Sequence, residues 1–157
     1  MFAVGDLVCY PMHGVGNVES IEEHTVLGET GQYYLLRFLG GRMTAMVPVS
    51  AAERVGLRRI AGRETCEAVI EMLRGETFAP ESENWNQRYR DNLDKLRLGS
   101  VQDVADVVKC LMRRDRVRGL SAGERKMYLT ARAVLVGELS AATGRPEEEL
   151  MLLVGGE

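Results

Sequence analysis

The chain has 157 residues, 45 % of them hydrophobic, with a net charge of −3, which suits one ordinary domain or two small ones and argues against disorder. The opening Met1-Phe2-Ala3-Val4-Gly5-Asp6 lacks the basic start and apolar run of a secretory signal. No stretch reaches the roughly 18 apolar residues of a membrane span. The three cysteines, Cys9, Cys66 and Cys110, are far apart and form no Cys-x-x-Cys pair, so neither a zinc site nor a disulfide framework is expected. These features predict a cytoplasmic protein away from membranes. The charge is unevenly spread: residues 1–85 sum to −5, residues 86–132 to +6 and residues 133–157 to −4. A basic block between acidic flanks points to a local phosphate-binding surface.

In chain order, the first 50 or so residues read as β structure. Leu7–Tyr10, Tyr33–Phe38 and Met43–Val47 are rich in strand formers, and Pro11, Gly14, Gly16, Gly28, Gly31, Gly40 and Gly41 supply turns between them. Short strands at this spacing predict a small SH3-like or Tudor-like barrel. Pro48 cannot donate to a sheet ladder, so it marks an edge or a strand end, and an open edge can accept a strand from a partner. After Gly56 the pattern turns helical. Cys66, Val69, Ile70 and Leu73 share one helix face, and Gly75 is placed to end it. Asn84 is a candidate N-cap for a helix whose stripe is Trp85, Tyr89, Leu93 and Leu96. Ser100 and Ser121 each look like an N-cap, the second matching a capping box with Glu124. Val104, Val107, Val108 and Leu111 form an apolar face between them, and Pro146 followed by three glutamates opens a last helix. The expected fold class is therefore α+β: a barrel over residues 1–56, then about five helices over residues 57–157.

Three constellations have a chemical reading and a bland one. Gly119-Leu120-Ser121-Ala122-Gly123 matches the Gly-x-Ser-x-Gly nucleophile elbow, but that motif needs a preceding strand, and here an Arg-rich helical stretch precedes it. A helix cap is the better reading of Ser121, and no histidine base is in evident reach of it. His13, in a glycine-flanked turn, reads as a turn or barrel-rim residue rather than a ligand. The basic cluster says more. Arg113, Arg114, Arg116 and Arg118 end one helix, Arg125 and Lys126 open the next, and Arg88 and Arg90 follow the single tryptophan, Trp85. Part of this suits a helix C-terminus or a solvated face. An exposed Trp85 among cations would suit unstacked bases; a buried one would simply begin its apolar stripe. Spacing leaves both open.

The chain also resembles a known family. Val4-Gly5-Asp6, Tyr10-Pro11-Met12-His13-Gly14-Val15-Gly16, Met46-Val47-Pro48 and Val55-Gly56-Leu57-Arg58 are similar to the start of the CarD/CdnL family of bacterial transcription regulators. Asn84-Trp85-Asn86-Gln87-Arg88-Tyr89-Arg90 and Gly119 through Met127 are similar to its C-terminal half. The resemblance implies a Tudor-like module that binds the RNA polymerase β subunit, with Leu35, Met46 and Pro48 on the polymerase-facing strands. His24 and Met46 take places where some members carry arginines. It also implies a helical domain on promoter DNA at the upstream edge of the melted region, with Trp85 as a wedge and Arg88, Arg90, Arg125 and Lys126 on the DNA side. No enzymatic activity, cofactor or metal is implied, and a monomer is expected. The alternative is a protein–protein adaptor whose basic face is only solvated; a serine hydrolase at Ser121 ranks third.

Overall fold

The computed structural model describes residues 1–156. Five strands form one antiparallel sheet: β1 (Leu7–Tyr10), β2 (Gly14–Val26), β3 (Glu29–Phe38), β4 (Thr44–Pro48) and β5 (Arg58–Arg59), in the order β4-β3-β2-β1-β5. Side chains alternate across such a sheet, so Val8, Val18, Tyr34, Leu36 and Val47 meet on its inner face and, with Ala52 and Leu57, make the core of the β unit. The register of β2 against β3 shifts between Val18 and Ser20, a bulge that lets the 13-residue β2 bend around this core.

The β unit runs past Gly56, where the sequence placed its end. Val8 pairs with Arg59 and Cys9 with Arg58, the Ile60 amide donates to the Leu7 carbonyl at 3.2 Å, and Leu57 is buried in the core. A two-residue strand carries no periodic signal of its own; the sheet edge of β1 makes it. Gly56 turns the chain into it with φ of +80°, and a Cβ there would lie 2.5 Å from the Arg97 carbonyl oxygen, so only glycine fits this backbone and this close approach.

Five helices follow: α1 (Arg63–Arg74), α2 (Trp85–Leu98), α3 (Val101–Val117), α4 (Ala122–Thr143) and α5 (Glu147–Leu153). None is long and apolar enough to cross a membrane. The predicted stripe Cys66, Val69, Ile70 and Leu73 is buried, packed with Val104, Val108, Leu111, Leu135 and Leu139 in the helical core. Asn84 caps α2 by accepting from the Gln87 amide. The reciprocal capping box forms at Ser100 with Asp103, not at Ser121 as the sequence suggested. Ser121 does accept from the Glu124 amide at 3.2 Å, but the Glu124 carboxylate has partners elsewhere.

The two units share a mostly apolar joint. Cys9, Pro11 and Met12 of the barrel face Leu96, Val104, Ala131 and Val134 of the helices, so β1 is buried on both faces. At its centre Glu138 of α4, 1 % exposed, takes a bidentate bond from Arg58 of β5: Nη1 to Oε2 at 2.6 Å and Nη2 to Oε1 at 2.8 Å. The Ala61 amide donates to the same carboxylate at 2.8 Å, and Arg58 Nε donates to the Gly99 carbonyl at 3.3 Å. Burial, and then the nearby Glu138 charge, push the Cys9 thiol up to about 12 and the Cys66 thiol to about 11.

Breaking a buried pair strands the surviving charge. Glu138→Ala is therefore expected to lose about 3–5 kcal/mol of folding stability, measured by urea unfolding of the full chain. A loss under about 1 kcal/mol, the scale of an exposed pair, would show that this bond does not hold the joint.

Candidate functional site

The sequence placed its DNA-side residues on two segments, and the fold brings the starts of both together. Trp85 is the first residue of α2, and Glu124 lies in the first turn of α4. The indole Nε1 donates to Glu124 Oε1 at 3.3 Å. One face of the indole is stacked on Tyr89, with centroids 5.2 Å apart and an interplanar angle of 18°. Tyr89 in turn lies over Gly123, where a Cβ would sit 3.5 Å from the ring. Despite these contacts Trp85 is 44 % exposed. The indole is thus neither a core residue nor a loose surface side chain: it is held in place with part of its surface free.

Arg88 departs from expectation. It is 5 % exposed, with Nε bonded to Glu124 Oε2 at 3.4 Å and Nη1 to the carbonyls of Ser82 and Glu83 at 3.3 and 3.4 Å. Its guanidinium neutralises a buried carboxylate and ties down the loop before α2, so it is not presented as a surface phosphate contact. Arg90, two residues on, is exposed and bonded only to its own helix at the Asn86 carbonyl. Arg125 and Lys126 are exposed in the first turn of α4; Arg125 bonds Asp115 at 2.8 Å, an ion pair that water screens.

The arginines that end α3 divide in the same way. Arg113 lies over the Phe78 ring at 4.0 Å and Arg114 pairs with Glu81 at 2.8 Å. Lys109, 2 % exposed, donates to the carbonyls of Met72 and Thr77 at 2.6 Å each. These three pin the segment between α1 and α2, which delivers Asn84 and Trp85. Arg116 and Arg118 stay exposed. Spacing alone gave no sign of this division, nor of Glu124, whose local pattern spoke only of a cap.

On the β unit, Leu35 lies directly opposite Met46, and Tyr33 opposite Pro48. These pairs alternate with the buried Tyr34–Val47 pair, so all four residues share the outward face. Met46 is 46 % exposed. β4 is the edge strand, and Pro48 is its last residue. Beside this patch His24 packs edge-on to Tyr33 and bonds Glu22 at 2.9 Å. Bonds from Ser20 and then His24 hold the Glu22 carboxyl below the usual carboxylate range. The missed members here are Tyr33 and Glu22, which strand pairing adds to the patch.

The element directly before Ser121 is helix α3, not a strand, and the serine hydroxyl is engaged with Glu124, which is cap geometry rather than a strained elbow. Among the described residues, no group of three or more His, Cys, Asp or Glu is gathered to hold a metal ion.

Comparison with known proteins covers nearly the whole chain. Residues 2–61 match the CarD-like/TRCF RID domain and residues 68–154 match the CarD C-terminal domain. The first match carries the β unit through β5, as the structure does. The chain is 36 % identical over 153 residues to the Bacillus subtilis (strain 168) protein named "Putative transcription factor YdeB", covering 96 % of this chain and 97 % of that one. A solution structure of the 72-residue N-terminal domain of Myxococcus xanthus CarD is 32 % identical, over 38 % of this chain and 79 % of that one, with a TM-score of 0.34. With both halves matched in order, and a curated relative aligned from end to end, the chain belongs to the CarD family of transcription regulators.

Proposed function

We propose that this protein docks through its β unit on the β subunit of RNA polymerase and places its helical unit on promoter DNA. There Trp85 wedges at the upstream edge of the melted region and slows closure of the open complex. The observation that carries this reading is the state of Trp85: a large aromatic, 44 % exposed yet fixed by Tyr89 and Glu124. Leaving such a ring in water forgoes hydrophobic stabilisation, and a base step supplies the missing apolar surface. An adaptor without DNA contact has no use for it there.

Arg90, Arg125 and Lys126 are the proposed phosphate contacts, with Arg88 as internal support. On the β unit, Leu35, Met46 and Pro48 form the proposed docking face, continuous with the open edge of β4. The few exposed cations give modest, salt-sensitive affinity, and tethering to polymerase raises the effective DNA concentration. Promoter choice then comes from the polymerase, so no base-reading code is required.

The decisive experiment compares Trp85→Ala with wild type in three measurements. Open-complex lifetime should fall by about fivefold to over a hundredfold, the worth of one base–aromatic stack. Folding stability should fall by about 1–2 kcal/mol, for the lost ring stack and hydrogen bond, rather than the 3–5 of a buried aromatic. Binding to the polymerase β subunit should be unchanged, whereas Met46→Asp should weaken it by leaving a charge desolvated. A folded Trp85→Ala protein that still prolongs the complex fully would refute the wedge.

The arginines separate in a second test. Arg90, Arg125 and Lys126 replaced together by alanine should flatten the log–log salt dependence of DNA binding by roughly 2–3, at about 0.9 per phosphate, with little effect on stability. Arg88→Ala should instead cost about 3–5 kcal/mol of folding stability by stranding Glu124. An Arg88→Ala protein as stable as wild type but with a flattened slope would return Arg88 to the DNA side.

A further inference from the structure

The proposed wedge needs more than an exposed indole; the ring must stand in one orientation before DNA arrives. Trp85 follows a loop and begins a helix, a position where a side chain could sweep several rotamers. Two contacts remove that freedom. Tyr89 covers one face, and the N–H, the only hydrogen-bond donor an indole has, is taken by Glu124 Oε1.

Glu124 is unusual in its own surroundings. It is 4 % exposed although it lies in the first turn of a helix, where a glutamate ordinarily points to water. Oε1 accepts from both Trp85 and Ser121, and Oε2 accepts from Arg88. Cap formation explains the bond to Ser121 only. The burial and the two long-range bonds, 39 and 36 residues away in sequence, serve α2.

We infer that Glu124 is a positioning residue for Trp85: it clamps the indole by its N–H and sets which face and edge the wedge presents, while Arg88 keeps the clamp neutral. This rests on the wedge reading and extends it to two residues that need not touch DNA. Two consequences follow. The clamped indole has no donor left for a base edge, so it acts through stacking and shape alone, which every sequence can accept. The Arg88 charge also cancels the Glu124 carboxylate beside the cationic start of α4, which leaves Asp115, paired with Arg125 at 2.8 Å, as the anion a phosphate must displace there.

Glu124→Ala alone is a poor test, because it strands the buried Arg88 and can unfold the protein. The informative pair removes that charge first: Arg88→Met with Glu124→Gln, against Arg88→Met with Glu124→Leu. The glutamine carbonyl can still accept from the indole; leucine fills the space and cannot. Trp85 is the only tryptophan in the chain, so its fluorescence anisotropy and acrylamide quenching report the clamp directly in the free protein. The expected result is a more mobile, more readily quenched indole in the leucine protein than in the glutamine protein. Open-complex lifetime should be shorter by roughly fivefold, the worth of one hydrogen bond in an equilibrium constant, with equal binding to the β subunit. Two folded proteins with the same quenching and the same lifetime would overturn the clamp. If Trp85→Ala itself leaves the lifetime unchanged, the wedge reading falls, and the quenching contrast still decides whether Glu124 holds the ring.

Discussion

The bond between Arg58 and Glu138 is the constraint from which the arrangement of this protein follows. One buried carboxylate on α4 ties down the last strand of the barrel, the amide of Ala61 ahead of α1, and, through Arg58, the carbonyl of Gly99 between α2 and α3. Four parts of the chain are thereby fixed to one point. Burying the two charges is costly, and an apolar joint of equal size could hold as firmly. What the ion pair adds is geometry: a bidentate guanidinium–carboxylate bond accepts one alignment of its planes, where apolar surfaces tolerate many. Around it Cys9 and Met12 of the β unit and Leu96 and Val134 of the helices line a small, mostly apolar cavity.

The same motif recurs at the other end of the helical unit. Arg88 and Glu124 form a second buried pair, again joining distant segments, and Lys109 spends its charge on backbone carbonyls. The positive block seen in the composition therefore contains two populations. One holds the fold and supports the loop before Trp85; the other, with Arg90, Arg125 and Lys126, faces solvent. Total charge overstates the surface available to a polyanion, because the internally paired members contribute little to the outer field.

Much of this was legible from local pattern, and the rest was hidden for definite reasons. The strands β1 and β4 and the second half of β3, the stripe Cys66–Leu73, the Asn84 and Ser100 caps and the start of α5 depend on residues a few positions apart and appeared where the sequence put them. β2 was not anticipated, and Gly16 and Gly31, read as turn glycines, lie within the β2–β3 ladder. The end of the barrel was missed as well, because β5 is two residues long and is strand only by pairing with β1. The burial of Arg88 could not be read from its place beside Trp85 and Arg90 in the chain, because its partner is Glu124, 36 residues away. The Ser121 capping box failed for the same cause: the glutamate that should have closed it was drawn off by α2. Whether Trp85 was core or surface could not be read from its spacing, since it begins its stripe at the very end of a helix, where packing neighbours run out.

The thiols beside the joint carry a consequence of a different kind. Oxidation and alkylation proceed through the thiolate, and burial, with the Glu138 charge behind it, pushes the Cys9 thiol up to about 12, which disfavours that form at neutral pH. Cys66, at about 11, is little better exposed to such chemistry. Burial in the joint thus passivates these sulfurs first; the Glu138 charge adds to it and the Arg58 charge opposes it. A peroxide or an electrophile would have to wait for the joint to open, and the rate at which these sulfurs react is then a clock for that opening.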